Sequence, residues 1–323
     1  MRVLLTGATG FVGSHVARAL VAAGHAVRAL ARPQASRAML ADVPALEWLT
    51  GDILDAPSLR VAAAGCEAVI HAAAMVDFAP SRALKQREVN VEGTRYVLEA
   101  ARAAGATRFV HTSSVATIGR TRDGEVADEE TRYDWPVGLG YNESKRDAER
   151  IVRRADGIAT VCVNPALVFG PGEIYKRTLP LFRLVKHGLL PVVPPGGTTL
   201  CDVRDVAAAH VAALTRGEPG ARYIVGGPQL TFRELATTIA DVTGGTRPRA
   251  ELPARLLRAA AIPVAAIARL GVPLPFSAAN LAYLGNRGYY SSARAEAALG
   301  YRTRAAAETL GDAARWYEAQ RLL

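Results

Sequence analysis

Hydrophobic residues along the chain alternate between short apolar runs and longer segments with helical spacing. The first run, Arg2–Thr6, predicts a buried strand, and the apolar-faced segment Phe11–Ala23 predicts a helix directly after it. Further strands are predicted at Ala26–Leu30, Leu46–Leu49, Glu67–His71, Thr107–His111 and Ile158–Val163, and further helices at about Ser81–Ala104 and Tyr141–Arg154. Strands that alternate with helices in this rhythm form a parallel sheet with right-handed crossovers.

The pattern is less regular in the second half of the chain, although a strand at Arg222–Val225 is predicted to return to the main sheet. Helical spacing recurs at Lys176–His187, Val203–Thr215, Thr231–Thr243, Ala254–Arg269 and Ala305–Gln320. The predicted fold is α/β: a Rossmann-type doubly wound parallel sheet with a smaller, mainly helical C-terminal substrate lobe. The sheet domain is predicted to cover residues 1–170, with about 200–226 returning to it, and the lobe to cover 171–199 and 227–323.

Composition limits the class of protein further. The chain has 323 residues and half of them are apolar, so it can build a full core without cross-links. Its three cysteines show no metal or redox spacing and their odd number argues against a disulfide framework, so a reducing, cytoplasmic location is predicted. A strand that begins at the second residue shows no signal-peptide pattern. The closest approach to a membrane span, Leu252–Leu270, is interrupted by three arginines and Pro263, so no span is predicted.

The net charge of +9 raises the question of a nucleic-acid partner. The arginines are scattered along the sequence rather than clustered, and no nucleic-acid recognition motif is present. A solvated, arginine-rich surface therefore explains most of the charge, and nucleic acid is not an expected partner. Part of the charge suits an anionic cofactor.

Three glycines, Gly7, Gly10 and Gly13, lie between the first predicted strand and the first predicted helix. Gly7 lets the chain turn sharply off the strand, Gly10 lets backbone N–H groups approach a pyrophosphate, and Gly13 lets the helix pack on the sheet. The N-terminus of the helix then offers unpaired amides and a positive dipole end to the phosphates. In this strand-to-helix context the motif predicts a dinucleotide site.

The second predicted strand ends close to Arg32, at the point where folds of this kind select their cofactor. A carboxylate at this point binds a ribose 2′-hydroxyl, whereas an arginine favours a 2′-phosphate. Arg28 and Arg37 are near in sequence, and no acidic residue follows before Asp42. The predicted cofactor is therefore NADP(H) rather than NAD(H).

Residues suited to a ligand follow the ends of five predicted strands. These residues are Gly7, Arg32, Asp52, Ala73 and Ser114. Ligands of open parallel sheets bind beyond the carboxyl ends of the strands. Five separate stretches therefore point at one crevice, and this convergence is stronger than any single motif.

The segment Tyr141–Lys145 predicts a proton-transfer pair, because it places a phenol and an ammonium four residues apart on one helix face. A free tyrosine titrates at about 10, and an adjacent ammonium is expected to lower the pKa of Tyr141. Ser114 can donate a hydrogen bond to a substrate oxygen that gains negative charge. Pairs with this spacing also occur by chance, but the upstream glycine loop and the serine after the fifth strand favour catalysis.

Several stretches resemble the extended short-chain dehydrogenase/reductase family, of the NAD-dependent epimerase/dehydratase type, over essentially the whole chain. They are TGATGFVG, GDI, NVEGT, HTSSVATIG, YNESK and NPALVFGPG. The resemblance implies that Tyr141 is the acid/base, Lys145 its partner and Ser114 the third catalytic residue, and that Asn90 supports the site. Ile70–Phe78 is similar to the H-x-A-x-x-x-D-F stretch of the dihydroflavonol-4-reductase branch.

The motifs and the resemblance together predict a larger set of cofactor contacts. In the family, Asp52 and its neighbour Ile53 meet the adenine ring. The complete predicted set is Gly7, Thr9, Gly10, Phe11, Val12, Gly13, Arg32, Arg37, Asp52, Ile53, Ala72, Ala73, Ala74, Thr112, Tyr141, Lys145, Pro165 and Val168. Two positions depart from the family. Many members carry Arg-Pro where this chain has Asn164 and Pro165, and plant flavonoid reductases carry a polar residue where this chain has Gly119, which puts a flavonoid substrate in doubt.

Three functions remain open on the sequence. The first is NADPH-dependent reduction of a mid-sized, fairly apolar ketone or aldehyde, favoured by Arg32 and by an apolar lobe. The second is epimerisation or dehydration of a nucleotide sugar, with Arg177, Arg183 and Arg287 as candidate anchors. The third is a non-catalytic cofactor sensor, which the intact Ser-Tyr-Lys set disfavours. The apolar residues predicted to line the substrate side are Leu179, Leu181, Phe182, Leu184, Val185, Leu274, Phe276, Leu281 and Tyr283.

A homodimer is the predicted assembly. Members of the family often pair the two helices predicted here at Ser81–Ala104 and Tyr141–Arg154, and both carry apolar residues. These residues are Leu84, Val91, Val97, Leu98, Ala148, Ile151 and Val152. The alternative is that these faces pack only on their own sheet.

Overall fold

The computed structural model describes residues 1–120, 125–253, 255, 256, 259, 285 and 287–323. Its strands are β1 (Arg2–Thr6), β2 (Ala26–Ala31), β3 (Leu46–Thr50), β4 (Ala68–His71), β5 (Arg108–Thr112), β6 (Ala159–Pro165), β7 (Leu167–Phe169), β8 (Val192–Val193), β9 (Gly197–Asp202), β10 (Arg222–Val225), β11 (Gln229–Thr231), β12 (Ala250–Glu251) and β13 (Arg287–Gly288). Its helices are α1 (Phe11–Ala22), α2 (Ala56–Ala63), α3 (Ala83–Arg87), α4 (Gly93–Ala103), α5 (Gly140–Arg153), α6 (Leu179–Lys186), α7 (Val203–Arg216), α8 (Phe232–Thr243), α9 (Ala293–Leu299) and α10 (Ala306–Ala319).

The central sheet has seven strands in the order β10-β6-β5-β4-β1-β2-β3, and every neighbouring pair is parallel. Leu4 of β1 pairs with Arg28 on one side and with Val69 on the other. The order of the strands reverses between β1 and β4, and ligands of such sheets bind beyond the strand ends at this point. The predicted Rossmann-type parallel sheet is confirmed. Its seventh strand, β10, pairs with β6 through Tyr223 and Val163.

Apolar side chains cover both faces of this sheet. One buried cluster joins α1 and α7 to the sheet and includes Val16, Leu20 and Val206. On the opposite face a second cluster joins α2 and α4 to the sheet through Leu59 and Val97. Each fully buried side chain of this kind contributes about 1.5–3 kcal/mol. The continuous apolar runs of the strands are explained by this two-sided burial.

A third buried cluster holds α6, α8 and α10 together beside a smaller sheet. It includes Phe182, Leu235, Leu310 and Tyr317. The smaller sheet has the order β11-β9-β13, with β7 paired to β9, and the sequence did not predict it. The division of the chain into two lobes stays a prediction, and the predicted helix at Ala254–Arg269 lies largely outside the described residues. Within the part of the chain that is described, no helix is long and apolar enough to cross a bilayer.

The predicted helix at Ser81–Ala104 is interrupted. A π-helical turn, Glu88–Glu92, separates α3 from α4. Such turns are rare and occur mostly at functional sites. The helix α2 was not predicted, although it begins with a typical N-cap: Asp55 accepts the N–H of Ser58 at 3.1 Å.

Candidate active site

The glycine loop is packed against the end of β4 and the start of α1. Gly7 has a φ of +77°, and a Cβ atom there would lie 2.5 Å from the backbone nitrogen of Ala73. Gly10 donates its N–H to the Gly7 carbonyl at 2.9 Å. A Cβ atom at Gly13 would lie 2.0 Å from the same carbonyl oxygen. Glycine is required at positions 7 and 13 because loop backbone occupies the space of a side chain.

The N-terminus of α1 fits the pyrophosphate of a dinucleotide. Gly10 is the N-cap, and the first turn has neither a side-chain cap nor an acidic residue. A Cβ atom at Gly10 would meet the Gly7 carbonyl at 3.2 Å and the Tyr175 hydroxyl at 3.5 Å. The loop residues Thr9, Phe11 and Val12 are partly exposed. The first-turn N–H groups and the positive end of the helix dipole are therefore available to an anion.

The end of β2 presents positive charge, while the nearest acidic residue is engaged elsewhere. Arg32 is exposed directly after β2, and the guanidinium of Arg37 lies 4.8 Å from the centre of the Trp48 ring. Asp42 accepts two hydrogen bonds from Arg18, at 2.7 and 2.6 Å. This end of the sheet suits a 2′-phosphate, because arginines are present and the carboxylate of Asp42 is already neutralised.

Arg28 does not belong to this group, although it is near Arg32 in the sequence. Its guanidinium donates to the carbonyls of Ala62 and Ala64 at 3.0 and 2.7 Å and pairs with Glu47 at 2.9 Å. Arg28 therefore binds the C-terminal carbonyls of α2, where a cation is favourable.

The residues predicted to meet the adenine ring form a tight turn after β3. Asp52 Oδ1 accepts the N–H of Leu54 at 2.9 Å, and the backbone N–H of Asp52 donates to Ser58 at 3.2 Å. Ile53 packs against Gly93, where a Cβ atom would lie 2.7 Å from Ile53 Cδ1. The glycine in the family motif NVEGT is thus explained by the close approach of Ile53. The three alanines that follow β4 are partly buried at Ala72 and Ala73 and exposed at Ala74.

A chain of buried hydrogen bonds connects β1 and β4 to the π-helical turn. Thr94 donates to the Asn90 carbonyl at 2.6 Å, and its oxygen lies 3.0 Å from His71 Nε2. Because the hydroxyl proton of Thr94 is used in this way, His71 Nε2 carries a proton. His71 Nδ1 then accepts from Thr6 at 2.7 Å. Burial lowers the pKa of His71 to about 3, so a neutral ring is also the favoured form.

Asn90 fixes the loop after β4 to α5. Its Oδ1 accepts the N–H of Met75 at 2.7 Å, and its Nδ2 donates to the Met75 carbonyl at 2.9 Å and to Ser144 Oγ at 3.0 Å. Ser144 in turn donates to the carbonyl of Tyr141 at 2.9 Å. Asn90 is therefore placed as a positioning residue for the segment that carries Tyr141.

The structure brings the three predicted catalytic residues together beyond the end of β5. Ser114 follows β5, and its hydroxyl hydrogen-bonds to Tyr141 at the start of α5. Lys145 lies one turn further along α5, is buried, and donates to the Thr112 carbonyl at 2.6 Å. The side chain of Thr112 is held by His210 at 2.8 Å. A phenol, a hydroxyl and an ammonium are thus fixed around one strand end.

The pKa of Tyr141 differs from the expectation. The sequence predicts that Lys145 lowers the pKa of Tyr141, but burial raises that pKa, and the groups that oppose the rise are Ser114 and Arg177. Lys145 directs its ammonium to Thr112 instead, and burial lowers the pKa of Lys145 to about 8. The phenol of Tyr141 therefore stays protonated at neutral pH, which is the form that a proton donor needs.

Glu149 is a buried carboxylate that the sequence did not single out. It lies one turn beyond Lys145 on α5. Its Oε2 accepts hydrogen bonds from Ser113 at 2.5 Å, Thr117 at 2.9 Å and Asn164 at 2.6 Å, and Arg222 reaches its Oε1 at 3.2 Å. The only sequence feature that could have identified Glu149 is its position four residues after Lys145 on the same helix. Its hydrogen-bond partners come from distant strands and turns, so the sequence does not indicate them.

The partners of Glu149 also hold the catalytic serine. Asn164 donates to the Ser114 carbonyl at 3.2 Å, and the Thr117 hydroxyl, whose single proton is shared between this carbonyl and Glu149, lies 2.9 Å from the same oxygen. Asn164, one of the two departures from the family pattern, is therefore a structural link between β6 and the turn after β5. The neighbouring Pro165 ends β6, and Val168 lies in β7 against the first core cluster.

Gly119, the other departure, has a steric explanation. A Cβ atom at Gly119 would lie 2.0 Å from the Arg132 carbonyl oxygen. The chain that leads to α5 crosses here at backbone contact, so no side chain fits at position 119. The polar group found there in plant flavonoid reductases has no equivalent in this protein.

Aromatic and apolar groups surround the entrance to the site. The ring of Phe78 makes an edge contact with the ring of Tyr141 at a centroid distance of 5.4 Å, and Phe78 is 66% exposed. Arg177 donates to the Val76 carbonyl at 2.6 Å and lies 5.5 Å from the ring of Tyr175. The segment after β4 that contains Val76 and Phe78 thus forms one wall of the entrance, and Arg177 is hydrogen-bonded to that wall.

Part of the predicted apolar lining lies elsewhere. Leu179, Phe182 and Val185 are buried in the third core cluster, because they form the inner face of α6. Leu181 is partly buried against the same cluster, and Leu184 is exposed. The other predicted lining residues, Leu274, Phe276, Leu281 and Tyr283, are outside the described part of the chain. Of the candidate anchors for a nucleotide sugar, Arg183 donates to the Leu322 carbonyl at 2.8 Å.

Comparison with known proteins identifies the family. The sequence profile of the NAD-dependent epimerase/dehydratase family matches residues 3–226. The chain belongs to this family. The resemblance to the extended short-chain dehydrogenase/reductases, and to the dihydroflavonol-4-reductase branch among them, is confirmed. Epimerase/dehydratase-family proteins are nicotinamide-dinucleotide enzymes, and the chain is accordingly an oxidoreductase of this kind.

Three similar proteins place the chain within the epimerase/dehydratase family. Sterol demethylase protein B of Methylococcus capsulatus is 33% identical, with 98% of each chain covered. A Synechocystis sp. protein named as a candidate dihydroflavonol 4-reductase is 33% identical, with 97% of this chain and 94% of the relative covered. The crystal structure of gox2253 superposes with a TM-score of 0.90 at 32% identity, with 99% of each chain covered. Similarity of this extent covers the C-terminal part of the chain as well as the part that forms the sheet.

Proposed function

We propose that the protein uses NADP(H) to reduce the carbonyl group of a mid-sized, fairly apolar ketone or aldehyde at a site formed by Ser114, Tyr141 and Lys145. The observation that carries the proposal is the contact between Phe78 and Tyr141. A largely exposed aromatic ring lies against the phenol that would donate the proton. The hydroxyl groups of a sugar would lose water against this ring without gaining partners, whereas an apolar ketone has only its carbonyl group to desolvate.

The proton chemistry of the residues suits reduction. A bound nicotinamide cofactor supplies the hydride. Ser114 hydrogen-bonds to Tyr141, so a carbonyl oxygen placed between them would accept hydrogen bonds from both hydroxyl groups. Tyr141 holds its proton at neutral pH because burial raises its pKa, and it can pass that proton to the oxygen as negative charge develops. Lys145 keeps a positive charge beside the end of β5, through its bond to Thr112.

The preference for NADP(H) rests on charge at the end of β2. Arg32 is exposed there, with Arg37 nearby, and Arg18 occupies both oxygens of Asp42. A 2′-phosphate would therefore meet guanidinium groups and no free carboxylate from this segment. The name of one relative, a sterol demethylase protein, agrees with the substrate class, since sterols are bulky and largely apolar.

Two substitutions test the catalytic and cofactor assignments separately. Tyr141→Phe should lower turnover by about 100-fold or more, because only the proton donor is lost, and should leave cofactor affinity nearly unchanged. Arg32→Ala should weaken NADPH binding by about 10-fold and leave NADH binding unchanged. Turnover is followed with hydrophobic carbonyl compounds, and affinity by titration of both cofactors. Equal affinity of the wild type for the two cofactors would contradict the NADP(H) assignment.

The second candidate function is internal redox chemistry on a nucleotide sugar. It is favoured by Arg177, which lies at the entrance and whose charge reaches Tyr141. The two functions differ in the fate of the cofactor, because a reductase releases oxidised cofactor in every turnover. Stoichiometric loss of NADPH with an apolar ketone supports reduction. Conversion of a nucleotide sugar without net change in reduced cofactor would replace the reductase by an epimerase or dehydratase.

A reducing, cytoplasmic location and a homodimer remain part of the proposal. Cys66, Cys162 and Cys201 are free and buried, which suits a reducing compartment. The apolar residues expected at the dimer interface are mostly used within the chain: Val91, Val97, Leu98, Ala148 and Val152 are buried, and Leu84 is 86% exposed. The alternative, that these faces pack on their own sheet, therefore applies to most of them. Light scattering at micromolar protein would give a dimer mass if the helices pair by their polar faces.

A further inference from the structure

A cavity lies between the outer face of α5 and the edge strand β10. Its volume is about 410 Å³, and none of its lining residues belongs to the predicted cofactor or catalytic sets. The lining contains six arginines and two acidic residues: Arg132, Arg146, Arg150, Arg153, Arg154, Arg222, Glu130 and Glu149. The charged side chains around this cavity therefore carry an excess of four positive charges.

The two acidic residues do not neutralise the other arginines. Glu149 accepts from Arg222 and from three polar side chains, and Glu130 pairs with Arg294 at 2.8 Å. Among the residues that the structure describes, no carboxylate lies within 4.0 Å of a nitrogen of Arg132, Arg146 or Arg154. The carboxylate nearest to Arg150 is that of Asp147, at 3.9 Å. Arg132, Arg146 and Arg154 are thus left without a paired carboxylate in the described part of the chain.

The preference of arginines for the solvated C-terminus of a helix explains only some of the arginines in this cavity. Arg153 and Arg154 lie at the C-terminus of α5, where cations interact favourably with the helix dipole. Arg146 lies in the middle of the helix, and its guanidinium is stacked over the ring of Tyr133 at 4.0 Å. Arg132 comes from the loop before α5 and Arg222 from β10. Three separate elements converge on one concave surface, at a cost in like-charge repulsion.

We propose that this cavity binds a small multivalent anion, of the phosphate-ester or polycarboxylate class, independently of the nicotinamide cofactor. Guanidinium groups form paired, charge-assisted hydrogen bonds with both kinds of oxyanion. The volume lies within the range of small-molecule sites, and the ring of Tyr133 supplies one apolar surface. This anion site is separate from the proposed carbonyl reduction, and its existence does not depend on that activity.

Calorimetric titration with inorganic pyrophosphate tests the proposal, with saturating NADP⁺ present so that the glycine loop is occupied. The wild type should bind pyrophosphate saturably, and the double variant Arg150→Gln/Arg154→Gln should bind it at least about 10-fold more weakly. The matched control is Arg60→Gln/Arg233→Gln, which removes the same charge from two exposed positions on α2 and α8 and should bind as the wild type does. Equal weakening in both double variants would show a general charge effect and overturn the proposal, as would the absence of saturable binding.

Citrate in place of pyrophosphate distinguishes the two sources of oxyanion. Binding of both anions indicates a general multivalent-anion site, and binding of one alone identifies the class. Thermal unfolding gives an independent measurement. Pyrophosphate should raise the Tm of the wild type and of the control, but not that of Arg150→Gln/Arg154→Gln. Without anion, the latter variant should unfold at or above the wild-type Tm, because repulsion is relieved. An equal rise in Tm in all three proteins would overturn the proposal.

Discussion

Glu149 is a single residue that acts on two of the catalytic residues, Lys145 and Ser114, through its charge and its hydrogen bonds. Burial lowers the pKa of Lys145 to about 8, and the charge of Glu149 opposes that shift. Glu149 also holds Thr117 and Asn164, which both lie within hydrogen-bond distance of the Ser114 carbonyl. It therefore acts on the charge of the lysine and on the position of the serine at once.

Glu149→Gln should shift the alkaline limb of the pH profile of kcat to lower pH. A lysine is cationic below its pKa, so activity that needs cationic Lys145 is lost as pH rises through about 8 in the wild type. Removal of the Glu149 charge lowers that pKa further, and the loss begins at lower pH. Tyr141 does not set this limb, because burial raises its pKa. The profile is measured with saturating substrate and cofactor.

Asp147→Asn is the matched control for this variant. Asp147 lies on the same helix but pairs with Arg87 on its outer face, so its loss should leave the limb in place. If Glu149→Gln reduced kcat by the same factor at every pH, the residue would have only a structural role. The pH dependence thus separates an electrostatic role from a loss of packing.

The sequence identifies residues whose roles are local and misses those whose partners are distant. Tyr141 and Lys145 share a helix face, and Ser114 follows a strand, so spacing alone predicts that they meet. Glu149 looks like an ordinary solvated residue of a charged helix, because its partners on β6 and β10 are brought to it only by the sheet order. The raised pKa of Tyr141 was missed for the same reason, since burial is a property of the folded chain.

At the level of secondary structure, the π-helical turn between α3 and α4 positions the loop after β4. The extra residue in this turn directs Asn90 at Met75 and Ser144, while its carbonyl receives Thr94. Asn90→Ala should cost about 1–3 kcal/mol of stability, because the partly buried backbone groups of Met75 lose their partners. It should also raise the KM for the carbonyl substrate, because Phe78 lies three residues further along the same loop. Urea unfolding and steady-state kinetics measure the two effects.

Glu92→Ala, in the same turn, is the control for Asn90→Ala. Glu92 pairs with Arg95 at the surface, and such pairs contribute about 0–1 kcal/mol. Both the free energy of unfolding and KM should stay close to wild-type values. A wild-type KM in Asn90→Ala would show that Asn90 supports stability alone.

Regular elements with two-sided burial were predicted well, and irregular ones were not. The strands β1 to β6 follow from continuous apolar runs, and α8 from helical spacing; the structure adds a capping box in which Thr231 and Glu234 bind each other's backbone. No sequence signal marks the π-helical turn, because its residues have ordinary helical patterning. The short strands β7, β8 and β13 contain two or three residues each, which is too few for a periodic pattern.

For the molecule as a whole, three buried histidines predict sensitivity to acid. Burial lowers the pKa of His71 to about 3 and that of His210 to about 4, and holds the pKa of His111 well below its usual value. In the unfolded chain each titrates at about 6.5, so below that pH the unfolded state binds more protons than the folded state. The stability that these groups contribute is fully present above pH 6.5 and is lost as pH falls from about 6.5 toward their folded pKa values, with a limiting slope of about 4 kcal/mol per pH unit for all three.

His111→Leu should make the loss of stability with falling pH shallower by at most about 1.4 kcal/mol per pH unit, since one titrating group is removed. Neither ring nitrogen of His111 has a hydrogen-bond partner among the described residues, so little else is lost. The exposed His187, replaced by Leu, should leave the slope unchanged. Urea unfolding between about pH 7 and pH 5 gives the slopes. Identical slopes in the wild type and His111→Leu would show that buried histidines do not control the acid limit.

The close approach of the Arg132 backbone to Gly119 would make Gly119 look like a catalytic residue in a saturation-mutagenesis experiment. Every replacement, alanine included, would place an atom within 2.0 Å of the Arg132 carbonyl oxygen. Selection for activity would therefore reject all alternatives there, with the same intolerance that an acid/base residue shows. A chart of tolerated replacements would rank Gly119 beside Tyr141, although the glycine has no side chain with which to hold a substrate. Measured protein abundance would distinguish them, because replacements at Gly119 remove folded protein whereas Tyr141→Phe leaves it intact.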